Sequence, residues 1–152
     1  MLVSCDVVAS VDLRAAVRAH RARRETDKSA IATLLVAAGV TPAQRARLGE
    51  PPVVYVTDPA DGRLLALHRS RRRAAGATKP RAPPLDLRAF GERDAVRVRA
   101  DLGGVHAAVL APEAALLFAD NFDYASFTKD FVAGTLAEEE LGHKLYLHVC
   151  DG

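Results

Sequence analysis

Apolar and polar positions in this chain follow two periods, and the switches between them mark the expected elements. Leu13, Ala16, Val17 and His20 recur at i, i+3, i+4 and i+7, which predicts an amphipathic helix from an Asp12 N-cap to about Glu25. Arg14, Arg18, Arg21 and Arg24 fall mostly on its other side, as a solvated face, with His20 at the boundary as a satisfied histidine. Asp27-Lys28-Ser29 reads as a loop, and the continuous apolar run Ile31–Ala37 as a buried strand. Thr41-Pro42 starts a short helical turn. Val53–Thr57 and Leu64–Arg69 flank Asp58-Pro59-Ala60-Asp61-Gly62, whose turn chemistry predicts a β-hairpin.

The second half continues the alternation. Val96, Val98 and Ala100 alternate with Arg97, Arg99 and Asp101, as in a half-exposed strand near a sheet edge. Gly103-Gly104 is expected to break that pattern before a strand over Val105–Ala111. Pro112 suits the first position of a helix running to about Ala119. A further helix starts at Ser126 or Thr128 and runs to about Leu136. Glu138-Glu139-Glu140 is a solvated acidic run, and Lys144–Val149 alternates as a closing strand. Residues 2–5 read as the tail of a buried strand ending at Asp6. The order β-α-β-ββ-β-β-α-α-β predicts an α/β sandwich around a mixed sheet.

Composition narrows the class. The chain has 152 residues, the size of one domain, and Lys+Arg 21 against Asp+Glu 19 gives a net charge of +2. That near-balance argues against direct nucleic-acid binding. Aromatics are 5% and Trp is absent, so the core must be built from Ala, Val and Leu. Cys5 and Cys150 lie at opposite ends, which suggests a reduced intracellular setting over a disulfide framework. No apolar run reaches the ~20 residues a membrane span needs. Residues 70–84, rich in Arg, Ala and Pro, read as a basic, low-complexity surface loop. The chain ends suggest a piece of a longer protein.

Candidate chemistry is sparse. There is no Gly-rich phosphate loop, metal-ligand spacing or nucleophile elbow, so no catalytic residues, metal site or cofactor are assigned. Asp6, at the carboxyl end of a strand, stands where an α/β sheet holds Mg²⁺ and nucleotide, or is a turn aspartate. Asn121-Phe122-Asp123-Tyr124 lies between two apolar helical segments, and the stretches Leu117–Tyr124 and Asp130–Gly134 hold three of the five Phe. It is either a presented functional loop or a helix connection in which Phe122 and Tyr124 plug the core and Asn121 caps the next helix.

These residues carry a resemblance. Asp6-Val7-Val8-Ala9-Ser10, His20-Arg21-Ala22-Arg23-Arg24, Asp27-Lys28, Asn121-Phe122-Asp123-Tyr124, Asp130-Phe131-Val132-Ala133-Gly134 and Leu141-Gly142 resemble the nucleotidyltransferase-like domain of epsilon subunits of eukaryotic translation initiation factor two-B. The resemblance implies a Rossmann-like, sugar-phosphate nucleotidyltransferase-like fold that has lost its chemistry. It implies residues 1–152 as part of that domain, with a left-handed β-helix and a C-terminal helical-repeat exchange domain elsewhere in the subunit. It implies a cytosolic guanine-nucleotide exchange complex, with other subunits, especially gamma, and the GTPase subunit of initiation factor two as partners. Asn121-Phe122 then corresponds to the exchange-promoting pair, with Asp123 and Tyr124 beside it, and Asp6 to a vestigial nucleotide or metal position. Cys5 and Ser10 depart from the family's glycine and asparagine. The rival expectation is an active nucleotidyltransferase making a nucleotide sugar, with Asp6 as metal ligand.

Overall fold

A computed structural model of the chain describes residues 1–4, 10–48, 51–69, 91 and 93–150. Among them, seven strands form one mixed sheet: β1 (Leu2–Val3), β2 (Ala30–Ala37), β3 (Val53–Thr57), β4 (Arg63–Arg69), β5 (Arg97–Arg99), β6 (Gly103–Leu110) and β7 (Lys144–Cys150). The spatial order is β1-β6-β2-β7-β4-β3-β5. β2 and β7 run parallel, with Leu34 opposite Leu147, and the other pairs are antiparallel. The α/β mixed sheet expected from the sequence is therefore present.

Helix α1 (Leu13–Thr26) forms where the periodicity places it. The Asp12 carboxylate accepts from the Arg14 amide at 2.9 Å, and Arg23 and Arg24 occupy the last turn, where cations suit the helix dipole. α1 packs Ala16 on Leu35, Ala107, Val109 and Cys150, covering one sheet face. The larger core fills the opposite face. There Leu34, Val36, Tyr55, Leu64 and Leu145 meet Ala114, Phe131 and Val132 from α3 (Pro112–Asp120), a π-helical turn (Phe127–Phe131) and α4 (Val132–Ala137). Because β2 is covered on both sides, it is buried almost throughout and shows no alternation. The β3–β4 hairpin turns through Asp58 and Asp61, whose carboxylates accept from the Ala60 and Arg63 amides, while Gly62 takes a φ of 76°.

Several expectations are corrected. Leu2 and Val3 are exposed, because β1 is an edge strand paired on one side to β6. Gly103-Gly104 does not interrupt a strand but opens β6. A Cβ on Gly103 would come within 2.8 Å of a Val40 methyl, so any other residue there would force the Val40 side chain to shift. The irregularity in β6 lies further on, at His106, whose φ of 55° accompanies a register shift against β2. Arg24 is not simply solvated: it donates to the Lys28 and Ala30 carbonyls and pairs with Glu113 at 2.8 Å. His20 is fully buried and shares a 2.9 Å hydrogen bond with the Thr33 hydroxyl. The α2 helix (Pro42–Leu48) begins with reciprocal Thr41–Gln44 capping. Arg45 on its inner side is buried and donates to the Ala100 and Leu102 carbonyls. The basic segment 70–84 lies outside the described residues.

Candidate functional site

The loop Asn121–Tyr124 is anchored at both ends, and the local sequence explains each anchor. α3 has no side-chain N-cap, and Pro112 at its start has no amide to satisfy. Its other end is closed by Asn121, whose side-chain amide donates to the Leu117 carbonyl at 2.8 Å. Asn121 thus terminates α3 instead of capping the next helix. The Tyr124 amide returns to the Asn121 carbonyl at 3.1 Å, making the loop a tight turn.

Beyond the turn, Ser126 and Asp130 form a second anchor. The Ser126 hydroxyl accepts from the Lys129 amide, and the Asp130 carboxylate accepts from the Ala125 and Ser126 amides. This resembles a capping box with its carboxylate one residue late. Phe127–Phe131 is a single π-helical turn, so the regular helix begins at Val132, later than the sequence suggests.

The aromatic rings divide between the two sides of the loop. Phe118, Tyr124, Phe127 and Phe131 form one cluster: Tyr124 meets Phe131 edge-on at 6.2 Å and Phe118 at 5.9 Å, and Phe127 stacks on Phe131 at 5.2 Å. Phe131 is fully buried. Phe122 instead is 100% exposed. Of the two rings expected to plug the core, only Tyr124 does so. Burial, reinforced by the nearby Glu138 and Asp130 carboxylates, pushes the Tyr124 phenol above its ordinary pKa. Asn121 and Asp123 are exposed beside Phe122.

Chemically, the arrangement presents an ordered amide, ring and carboxylate to solvent. A fully exposed Phe sacrifices the apolar burial that normally places it inside, and a tight turn held on both sides limits the freedom it would lose on contact with a partner. Asp6 lies outside the described residues. Among the described residues no group of three or more His, Cys, Asp and Glu is arranged to hold a metal ion, and no helix is long and apolar enough to cross a membrane.

The sequence matches known proteins from end to end. It is 34% identical over 149 residues, 98% of the chain, to translation initiation factor eIF2B subunit epsilon of Schizosaccharomyces pombe. It is 28% identical over 152 residues, the whole chain, to the Dictyostelium discoideum protein of the same name. The chain is homologous to part of eIF2B epsilon. It spans 21% and 20% of the length of these two curated relatives. No protein-family model matches it.

Two features of this eIF2B epsilon homologue escape sequence reasoning. Gly134 is required by Tyr124, since a Cβ at 134 would lie 3.0 Å from the Tyr124 Cζ and closer to its hydroxyl. A glycine inside a helical pattern was the available signal. Leu141, in a 3₁₀ turn after α4, is 57% exposed and shares a shallow depression with Asn121 and Tyr124. Nothing in the local pattern brings Leu141 to that loop.

Proposed function

We propose that this chain is the nucleotidyltransferase-like portion of a translation initiation factor subunit of the eIF2B epsilon type. In this reading it works in the cytosol within a multisubunit guanine-nucleotide exchange complex, with the gamma subunit as its main neighbour. It performs no nucleotidyl transfer. It promotes GDP release from initiation factor two by contacting the GTPase subunit through Asn121-Phe122-Asp123-Tyr124, and Asp6 is a vestige of a nucleotide site. The mixed sheet with helices on both faces is compatible with a nucleotidyltransferase-like fold.

The observation that carries this reading is the complete exposure of Phe122 on a loop whose flanks are bonded and packed. Exchange requires no nucleophile or proton transfer. It requires a surface that binds the nucleotide-free GTPase more tightly than the GDP-bound one, so that binding shifts the equilibrium towards release. An exposed aromatic anchor can supply ~2 kcal/mol or more of that difference.

The test is GDP release from purified initiation factor two by the full-length subunit assembled with gamma, comparing wild type with Asn121→Ala/Phe122→Ala. A slowing of tenfold or more, by the ~1.4 kcal/mol-per-decade relation, with assembly intact, supports the reading. An unchanged rate assigns the loop to structure alone.

A further inference from the structure

We propose that Phe122 is one end of a larger docking surface, with Leu141 at its other end and an acidic rim, which receives a basic protein surface carrying an apolar pocket. The inference rests on the reading of the Asn121–Tyr124 loop as a protein-contact site and names the chemistry of the contact.

The first observation is geometric. Leu141 and Asn121 line the same shallow depression, together with Tyr124, Glu138 and His143. Phe122 follows Asn121 directly in the chain, so two large exposed apolar residues, Phe122 and Leu141, are carried by the two segments that line the depression, about twenty residues apart. Its floor, formed by Leu117, Tyr124, Phe131 and Thr135, belongs to the α3–α4 layer that packs on the sheet. The surface is thus built on the core, and interfaces of this kind are strongest where a ring is surrounded by contacts that exclude water.

The second observation is electrostatic. Asp120 and Asp123 flank Phe122 in the chain, and Glu138 and Glu140 precede Leu141; all four are exposed. None of these carboxylates has a side-chain partner among the described residues. Elsewhere Asp27, Asp58, Asp101 and Glu113 are each paired with a cation. In a chain of net charge +2, the two segments that line the depression thus carry four exposed carboxylates without a side-chain partner among the described residues, an excess of negative charge that repels nucleic-acid phosphates. Lys and Arg side chains around an apolar pocket offset that excess, with the apolar contact giving affinity and the charges steering encounter.

The experiment uses the full-length subunit assembled with gamma and follows its association with purified initiation factor two across ionic strength. Three variants are compared with wild type: Leu141→Ala, Phe122→Ala, and the neutralised Asp120→Asn/Asp123→Asn/Glu138→Gln/Glu140→Gln. The expected results are a loss of about fivefold or more in affinity for Leu141→Ala and a several-fold slower association of the neutralised variant at low salt, converging on wild type at high salt. Arg14→Gln/Arg18→Gln, on the α1 side of the sheet, should associate at the wild-type rate. If Phe122→Ala weakens binding while Leu141→Ala and the neutralised variant match wild type, the extended surface is overturned and the loop contact stands. If none of the three changes binding, both are overturned. If neutralisation speeds association, the partner surface is acidic or nucleic acid and the proposal fails.

Discussion

The ring of Tyr124 rests against the backbone of Gly134, so closely that a methyl group at position 134 would sit 3.0 Å from the ring carbon bearing the hydroxyl. This contact ties the loop that presents Phe122 to α4, ten residues later. In an exposed helix, replacing glycine by alanine stabilises by about 1 kcal/mol. Here the sign should reverse, because Tyr124 must leave its place against Phe118 and Phe131. Gly134→Ala should destabilise by about 1–3 kcal/mol, as overpacking does, measured by denaturant unfolding. Combined with Tyr124→Ala, the cost of Gly134→Ala should largely vanish.

Phe122 and Phe131 should behave oppositely. Phe122→Ala removes no buried contact and should change stability by less than about 0.5 kcal/mol. Phe131→Ala should cost about 3–5 kcal/mol, since its ring is enclosed by Tyr124, Phe127 and the sheet. Parallel thermal melts check both.

Asp27 and Lys144 join the loop after α1 to the start of β7 at 2.6 Å. The hydrogen bond from Lys144, with those from Ser29, lowers the Asp27 pKa to about 2. A depressed carboxylate stabilises the fold fully above its unfolded pKa and loses that contribution as pH falls towards the folded value. Asp27→Asn should therefore lower the melting temperature at neutral pH, by the equivalent of about 1 kcal/mol or less because the pair is partly exposed. The difference should close between about pH 4 and pH 2. A melting series over that range is the measurement.

His20 acts in the same sense as Asp27, but at a higher pH. Burial, followed by the Arg24 and Arg23 charges, lowers its pKa. The unfolded chain then binds a proton that the folded chain refuses, so stability is full above pH ~6.5 and falls as the solution is acidified through that value. His20→Leu should flatten the acid side of the stability profile near pH 6. Thr33→Val, which strips the ring of its buried partner, should cost about 1–3 kcal/mol at neutral pH.

Local chemistry made much of the fold legible. Asp12 caps α1 as its position implies. The turn aspartates and Gly62 close the hairpin, and the alternating strand around Val98 is an edge strand. Each depends on residues within a few positions of one another. The Asn121–Tyr124 loop was legible for the same reason, as polar residues between two apolar segments.

The sequence by itself determined which segments become helices, strands and turns, since propensity, capping and periodicity act over single turns and pleats. It also determined that a conspicuous loop separates the last two helical segments. Only the tertiary structure decided that β7 inserts beside β2, that Gly103 makes room for Val40 and Gly134 for Tyr124, and that Tyr124 turns inward while Phe122 points to solvent. Two aromatic residues two positions apart have nearly the same preference for burial. Which one is buried depends on how much space a glycine ten residues away leaves, and that depends on packing and not on local pattern.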